Sequence, residues 1–504
     1  MKAQGKPKDR GLPVRGRRRP LRSALLSLGP IAALALVALG FHPESSDRAA
    51  AAPSRPNVLV IETDDQTVES MRVMDNVNAL IGDQGATFRN SFVNFSLCCP
   101  SRATFLTGQY AHNHDVWSNS APSGGFSTFE SLHGDNNLAV WLQRAGYYTG
   151  MIGKYLNQYS NKAGIPPGWS DWEAAAPNDL GFYNYTINDN GTLVRYGTDP
   201  ADYKQDVLTQ RAVDFITHRV PNGRSFFLWL TYTAPHVGGP DPNPNPPGDC
   251  TDAAKPAPRD AHAFDAEPLP KPPNFNEADV SDKPAEIRSL PLLDSTQIAN
   301  IQRKYRCALE SLLSVDQGVK QIVQALQGAG ALDNTLIIYT SDNGYFNGEH
   351  RLPKGKEHVY EESIRVPLEM RGPGVPQGVG IDDLAINADL APTIVDVTGA
   401  TPGLVMDGRA LIPVAQQPGT ELNRELLVEQ PNFSAIRTER YVYAEYDTGE
   451  RELYDLQRDP FELQSRHNFP PYATVRAVLA ARLHKLETCS GSSCRPHQAD
   501  PTPG

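Results

Sequence analysis

Short apolar blocks, each closing on polar or charged residues, punctuate the chain from residue 57 onward. "NVLVIETDD" is a β-branched run ending in Asp64 and Asp65, and "YYTGMIGKY" (147–155) carries Lys154. "SFFLWLTYTAPH" (225–236) closes on His236, and "TLIIYTSDNG" (335–344) on Asp342 and Asn343. Runs of this length and composition predict buried strands. Between them, "NNLAVWLQRAG" reads as a helix. In "KYRCALESLLSVDQGVKQIVQALQGAG", Leu309, Leu312, Val315, Val319, Ile322 and Leu326 share one helical face before the glycines end it. Strands separated by helices predict an α/β fold with a mainly parallel sheet sandwiched by helices. Ligand sites in such sheets lie beyond the carboxyl ends of the strands, so four distant stretches are expected to bring their polar ends to one edge.

The pattern breaks in two places. Residues 238–293 are crowded with proline ("GGPDPNPNPPGD", "PLPKPPNF"), which excludes regular helix and central strand there and leaves an ordered excursion, a lid near the site, or a surface loop. After Leu411, "SAIRTERYVYAEYDTGERELYDLQRDP" alternates and carries a turn at 447–449. This predicts a small antiparallel sheet in a C-terminal subdomain, followed by one helix over 473–486. The expected division is 1–52, 53–411 and 412–504, with no internal repeat.

The first 52 residues stand apart. A basic opening, an apolar run over 24–41 and a polar stretch before four alanines have the layout of a secretory signal peptide, with an uncleaved membrane anchor as the alternative. Arg17–Arg19 fit a twin-arginine signal only loosely. An exported protein, secreted or held at the cell surface, follows, and a membrane is a partner only if the segment stays attached. The chain's net charge is −11, from 47 Lys and Arg against 58 Asp and Glu. Residues 1–52 contribute +7, so the remainder carries −18. That surface repels polyanions, argues against nucleic-acid binding, and requires an anionic substrate to be drawn in by a local site.

Six cysteines are too few for a disulfide scaffold in 504 residues. In an oxidising compartment Cys489 could pair with Cys494 and Cys250 with Cys307, though spacing leaves the connectivity open. That leaves Cys98 and Cys99, adjacent and without CxxC spacing or nearby histidines for a zinc site.

These two open Cys98-Cys99-Pro100-Ser101-Arg102, which continues to Leu106-Thr107-Gly108. The stretch resembles the signature of the type I sulfatases, C-x-P-S-R followed at a fixed interval by L-T-G. The resemblance implies an alkaline-phosphatase-like fold and oxidation of Cys98 to formylglycine by a formylglycine-generating enzyme, with Cys99 filling the variable slot. A hydrated aldehyde offers two hydroxyls on one carbon, one to attack sulfur and one to help expel sulfate, which a thiolate cannot do. Asp64, Asp65, Asp342 and Asn343 are hard oxygen donors suited to calcium or magnesium. The resemblance makes them, with the modified Cys98, the ligands of a cation, usually calcium.

It further implies that Lys154 and Lys356 bind the substrate sulfate, that Arg102 holds the diol, and that His236 assists the leaving oxygen. Lys354 competes with Lys356, which is preferred because K-x-x-x-Y-E runs through Tyr360 and Glu361. Many sulfatases read G-K-W-H, and here Leu156 replaces that second histidine. Its absence, with "GKYLNQY" and "SDNGYFNGEHRLPKGK", is most similar to the N-acetylglucosamine-6-sulfatase branch. His112, His114, Glu349 and His350 are further candidates for sugar contacts. The expected substrate is a sulfated sugar, 6-sulfated N-acetylglucosamine first, or an aryl sulfate. A phosphodiester or phosphonate monoester hydrolase and an inactive glycan-binding homologue are the rivals.

Overall fold

In the computed structural model, residues 55–175, 180–239, 249–419 and 423–504 are described. The export segment expected over 1–52, and part of the proline-rich stretch, lie outside them. Among the described residues no helix is long and apolar enough to cross a membrane.

The strand Asn57–Asp64 runs buried through the centre. Its side chains alternate between two apolar layers. Val58 and Val60 join one cluster with Trp229, Leu336 and Ile338, while Leu59 and Ile61 join another with Leu228, Leu230 and Ile337. A period of two with apolar residues at both phases can be satisfied only by a sheet covered on both faces. Each such aliphatic side chain contributes about 1.5–3 kcal/mol on burial, so a slip of register or loss of either cover would be costly. Phe226–Pro235 and Thr335–Ser341 pair with this strand in parallel, and Tyr148–Gly153 and Asp171–Ala175 extend the parallel block. Short outer strands complete a ten-stranded sheet: Leu368–Arg371, Ala86–Phe88 and Val379–Ile381 at one edge, Thr186–Asp189 and Thr192–Arg195 at the other. Several of these edge pairings are antiparallel.

One face is covered by the helix Ser295–Gly328. Asp294 caps it by accepting from the Gln297 amide at 2.8 Å, and the Gln297 side chain accepts from the Asp294 amide at 2.9 Å. All six residues expected on its apolar face are buried in one cluster. The other face is covered by Cys98–Thr107, Leu138–Arg144 and Leu390–Thr398.

The C-terminal strands Leu426–Gln430, Phe433–Arg437, Tyr441–Tyr446 and Arg451–Asp455 form a separate antiparallel sheet. The turn falls at Gly449, whose φ of 82° suits glycine. The helix Ala473–Leu486 packs on this sheet through Val475, Leu479 and Leu483. The buried Arg424 grips Asp389 with both arms, at 2.6 and 2.7 Å. Burial opposes the Asp389 charge, but Arg424 outweighs it and holds the carboxyl below its usual range.

Both disulfides form, Cys250–Cys307 and Cys489–Cys494, while Cys98 and Cys99 are free and buried. The first anchors the proline-rich excursion to the helix Ser295–Gly328. Among its described residues that excursion is mostly turns, with a helical turn at Ala285–Arg288 where proline-free sequence permits it.

Candidate active site

Cys98 begins the wholly buried helix Cys98–Thr107. Pro100 falls in its first turn, where the amide it lacks would have no helical partner. Gly108 ends the helix in a left-handed conformation, φ 69°, and donates its amide to the Thr104 carbonyl at 2.8 Å. The motif's proline and glycine thus fix both ends of the helix that aims residue 98. Its N-terminus, the positive end of the helix dipole, faces the same space as the Cys98 side chain.

The strand ends converge there. Asp64 closes the central strand and Asp65 follows with φ 67°, a bend that aspartate tolerates. Cys98 Sγ lies 3.5 Å from Asp64 Oδ1 and 3.1 Å from Lys356 Nζ. Lys356 also pairs with Asp65, and Lys154 with Asp64. Lys354 is exposed. Gly153 lets the chain pass the neighbouring strand, since a Cβ there would sit 1.9 Å from the Thr231 carbonyl oxygen, and Lys154 follows it into the site. Arg102, fully buried, donates from Nε to Asp342 Oδ2 at 2.9 Å and from Nη1 to the Lys154 carbonyl at 2.7 Å. Asp342 Oδ1 accepts the Asp65 amide at 3.3 Å, and Asn343 Nδ2 donates to Asp65 Oδ1 at 2.6 Å. His236 points Nε2 at Asp65 Oδ2, 3.7 Å away, while its Nδ1 is 2.7 Å from the Val237 carbonyl, which assigns the proton to Nδ1.

Burial opposes charge throughout this cluster. Lys154, His236 and Arg102 overcome it at Asp64 and hold that carboxyl well below its usual range. At Asp342 burial and the Asp64 charge prevail, and the carboxyl is raised. Burial, and after it Asp64, pushes the Cys98 thiol up to about 12.

The donor set fits a hard divalent cation. Asp64, Asp65, Asp342 and Asn343 are 0 to 7% exposed, supply only oxygen or amide groups, and Asn343 Oδ1 is buried without a hydrogen-bond partner. An uncompensated buried acceptor beside three carboxylates is where a cation is best placed.

Glu62 escaped the sequence reading. It lies two residues before Asp64, on the same face of the strand, 3% exposed, with Oε1 3.1 Å from Arg102 Nη2 and Oε2 3.3 Å from Trp229 Nε1. Burial pushes its carboxyl up to about 7 against the pull of Arg102. A charged residue inside an otherwise apolar strand was the available signal. Cys99 packs into the apolar layer below, its amide donating to Asn119 Oδ1 at 2.9 Å. Three of the further candidates are committed elsewhere. His112 bonds Glu429 and the Cys489 carbonyl, buried His114 contacts Thr104, and buried His350 contacts Glu277. Glu349 lines a cavity next to the site.

Comparison with known proteins places this geometry. Residues 56–400 match the family model described as Sulfatase, and residues 348–489 that of the N-sulphoglucosamine sulphohydrolase C-terminal region. The chain is 32% identical over 498 residues to the N-acetylglucosamine-6-sulfatase of Homo sapiens, covering 88% of this chain and 87% of that one. It is 37% identical over 364 residues to the Sulf-1 homologue of Caenorhabditis elegans, 71% of this chain, and spans about half the length of that relative, 49%. A solved structure in complex with its substrate D-glucosamine-2-N,6-O-disulfate superposes with a TM-score of 0.70 at 24% identity, covering 86% of this chain and 97% of that one. The signature helix, the converging strand ends and these matches agree: the chain belongs to the sulfatase family, an alkaline-phosphatase-like sulfuric ester hydrolase.

Proposed function

We propose that the protein, exported and matured by oxidation of Cys98 to formylglycine, hydrolyses the 6-sulfate of N-acetylglucosamine in a sulfated carbohydrate. The observation that carries this reading is the placement of Cys98 at the start of a buried helix, with Lys356 3.1 Å and Asp64 3.5 Å from its sulfur. The hydrated aldehyde at position 98 would supply two hydroxyls on one carbon, one to attack sulfur and one to assist release of sulfate. Asp64, Asp65, Asp342 and Asn343, with residue 98, would hold Ca2+, or Mg2+ in its place, which would offset the negative charge of the sulfate oxygens.

Lys154 and Lys356 bring two more positive charges to those oxygens from a dry setting, where each counts for more than in water. Arg102, locked between Asp342 and the Lys154 carbonyl, orients the residue-98 hydroxyls and pins the two strand ends together. His236, with its Nδ1–H committed to the Val237 carbonyl, would pass a proton to the leaving alcohol from Nε2 when that nitrogen, opposite Asp65, is protonated as well. Residues 53–411 carry this chemistry and 412–504 form the subdomain that packs beside it.

The test is turnover by protein co-produced with a formylglycine-generating enzyme. N-acetylglucosamine 6-sulfate and 4-nitrophenyl sulfate are expected to be hydrolysed well ahead of bis(4-nitrophenyl) phosphate. Preference for the diester would replace this reading with a phosphodiester hydrolase. Sugar binding without turnover would replace it with a glycan-binding protein.

Glu62 makes a finer prediction. Because its carboxylate faces Arg102 from below, Glu62→Gln is expected to lower kcat about tenfold with KM little changed, through a less firmly held Arg102. Steady-state kinetics on 4-nitrophenyl sulfate read both constants, and Glu62→Asp should recover part of the loss.

A further inference from the structure

A cavity of about 480 Å3 adjoins the reacting centre. A smaller one, bordered by Asp65, shares Thr67, Tyr305, Tyr345 and Asn347 with it, so the two are neighbours. Pro270, Pro272 and Phe461 give the larger cavity apolar walls, suited to the C–H face of a sugar ring.

Four carboxylates also line it, and they are not equivalent. Glu69 pairs with Arg72 at 2.6 Å, and Glu361 with Arg437 at 2.8 Å and Arg365 at 3.6 Å. Among the described residues Glu349 and Glu362 have no lysine or arginine partner of this kind. Glu349 is 7% exposed, and among the described residues the donors to its carboxyl are backbone amides of its own loop, Asn347 at 2.6 Å among them; burial, and after it Glu362, pushes the carboxyl up to about 8. Glu362 accepts from Asn274 Nδ2 at 2.8 Å through Oε1, but its Oε2 is buried with no donor. His350 stands 4.0 Å from that oxygen, and burial, with Lys283 and His358 behind it, keeps the imidazole neutral. Lys271 also lines the cavity but lies over the Phe275 ring at 5.6 Å, and Arg365 is committed to Glu361 and the Arg89 carbonyl. The donorless Glu362 oxygen favours ligand groups that bring N–H, O–H or positive charge, and Glu349, when ionised beside it, penalises groups that bring a further anion.

We infer that this cavity holds the body of the substrate beyond its scissile sulfate, that it accepts a singly sulfated sugar carrying hydroxyl, amide or ammonium donors, and that Glu349 sets discrimination against a second sulfo group. The inference rests on the sulfatase reading above and gives it a specificity residue. It also gives a local cause, beyond the net charge of the surface, for preferring lightly sulfated substrates.

Three sugars test it with wild-type enzyme above the pH of about 8 at which Glu349 ionises: N-acetylglucosamine 6-sulfate, glucosamine 6-sulfate and D-glucosamine-2-N,6-O-disulfate, each measured as kcat/KM beside 4-nitrophenyl sulfate. The first two are expected to exceed the disulfate at least tenfold. Glu349→Gln is expected to narrow that gap fivefold or more, chiefly through the KM of the disulfate. If that variant does not fold, Glu362→Gln serves in its place, and the wild-type ratio decides alone if both fail. Equal rates on all three sugars, or a gap unchanged by either soluble variant, overturn the inference and leave the sulfatase reading intact. Turnover of 4-nitrophenyl sulfate with none of the three sugars removes the amino-sugar reading and the inference with it.

Discussion

Cys98→Ala is expected to lose turnover on the order of 10^4-fold or more while folding normally, because it removes the proposed nucleophile and touches little else. Among the described residues its sulfur is hydrogen-bonded to Asp64 and Lys356, and the helix it begins is held by Pro100, Gly108 and the apolar layer beneath. A thermal melt should therefore move by only a few degrees. Cys99→Ala is the matched control. Cys99 packs in the apolar layer, so that variant should retain activity and lose about 1–2 kcal/mol of stability. Mass spectrometry of the tryptic peptide 90–102 of the wild type should find residue 98 as an aldehyde and residue 99 as a thiol. The reverse assignment, or an active Cys98→Ala variant, would sink the nucleophile proposed here.

The second large effect is expected at Asp342. Its two oxygens serve Arg102 and the Asp65 amide, and its charge is one of three that would attract the cation. Asp342→Asn should reduce kcat/KM on the order of 10^3-fold and shift the calcium concentration needed for half-maximal activity from micromolar towards millimolar. Activity against added CaCl2 after EDTA treatment measures both effects. Stability should move the other way. Burial and Asp64 raise the Asp342 carboxyl, so its ionised form opposes folding until a cation offsets it. In EDTA, Asp342→Asn should melt no lower than wild type, whereas with calcium the wild type should gain and the variant should not. A variant that loses activity and also melts far lower in EDTA would show Asp342 to be a structural residue.

The same balance explains why the sequence reading went as far as it did. Asp64, Lys154, His236 and Asp342 each follow an apolar run, and a buried parallel sheet must release such residues at the carboxyl ends of its strands. The helix Ser295–Gly328 was legible from its apolar periodicity, and Ala473–Leu486 from its position after the hairpin. The edge strands were not, for Ala86–Phe88 and Val379–Ile381 have three residues each, too few to show a period.

Sequence alone determined the elements with sustained periodicity, the stretch from Cys98 to Gly108 through its resemblance to the sulfatase signature, and the set of side chains able to meet at one sheet edge. Those are local properties, set by backbone sterics and by which residues must leave water. Tertiary structure decided what depends on distance across the chain. It brought Lys356 to the Cys98 sulfur, paired the cysteines, set Glu62 beneath Arg102, and, among the described residues, left Glu349 and Glu362 without a lysine or arginine ion pair. Whether a buried charge finds a partner depends on how residues hundreds of positions apart pack together, and that is written in no single stretch of the sequence.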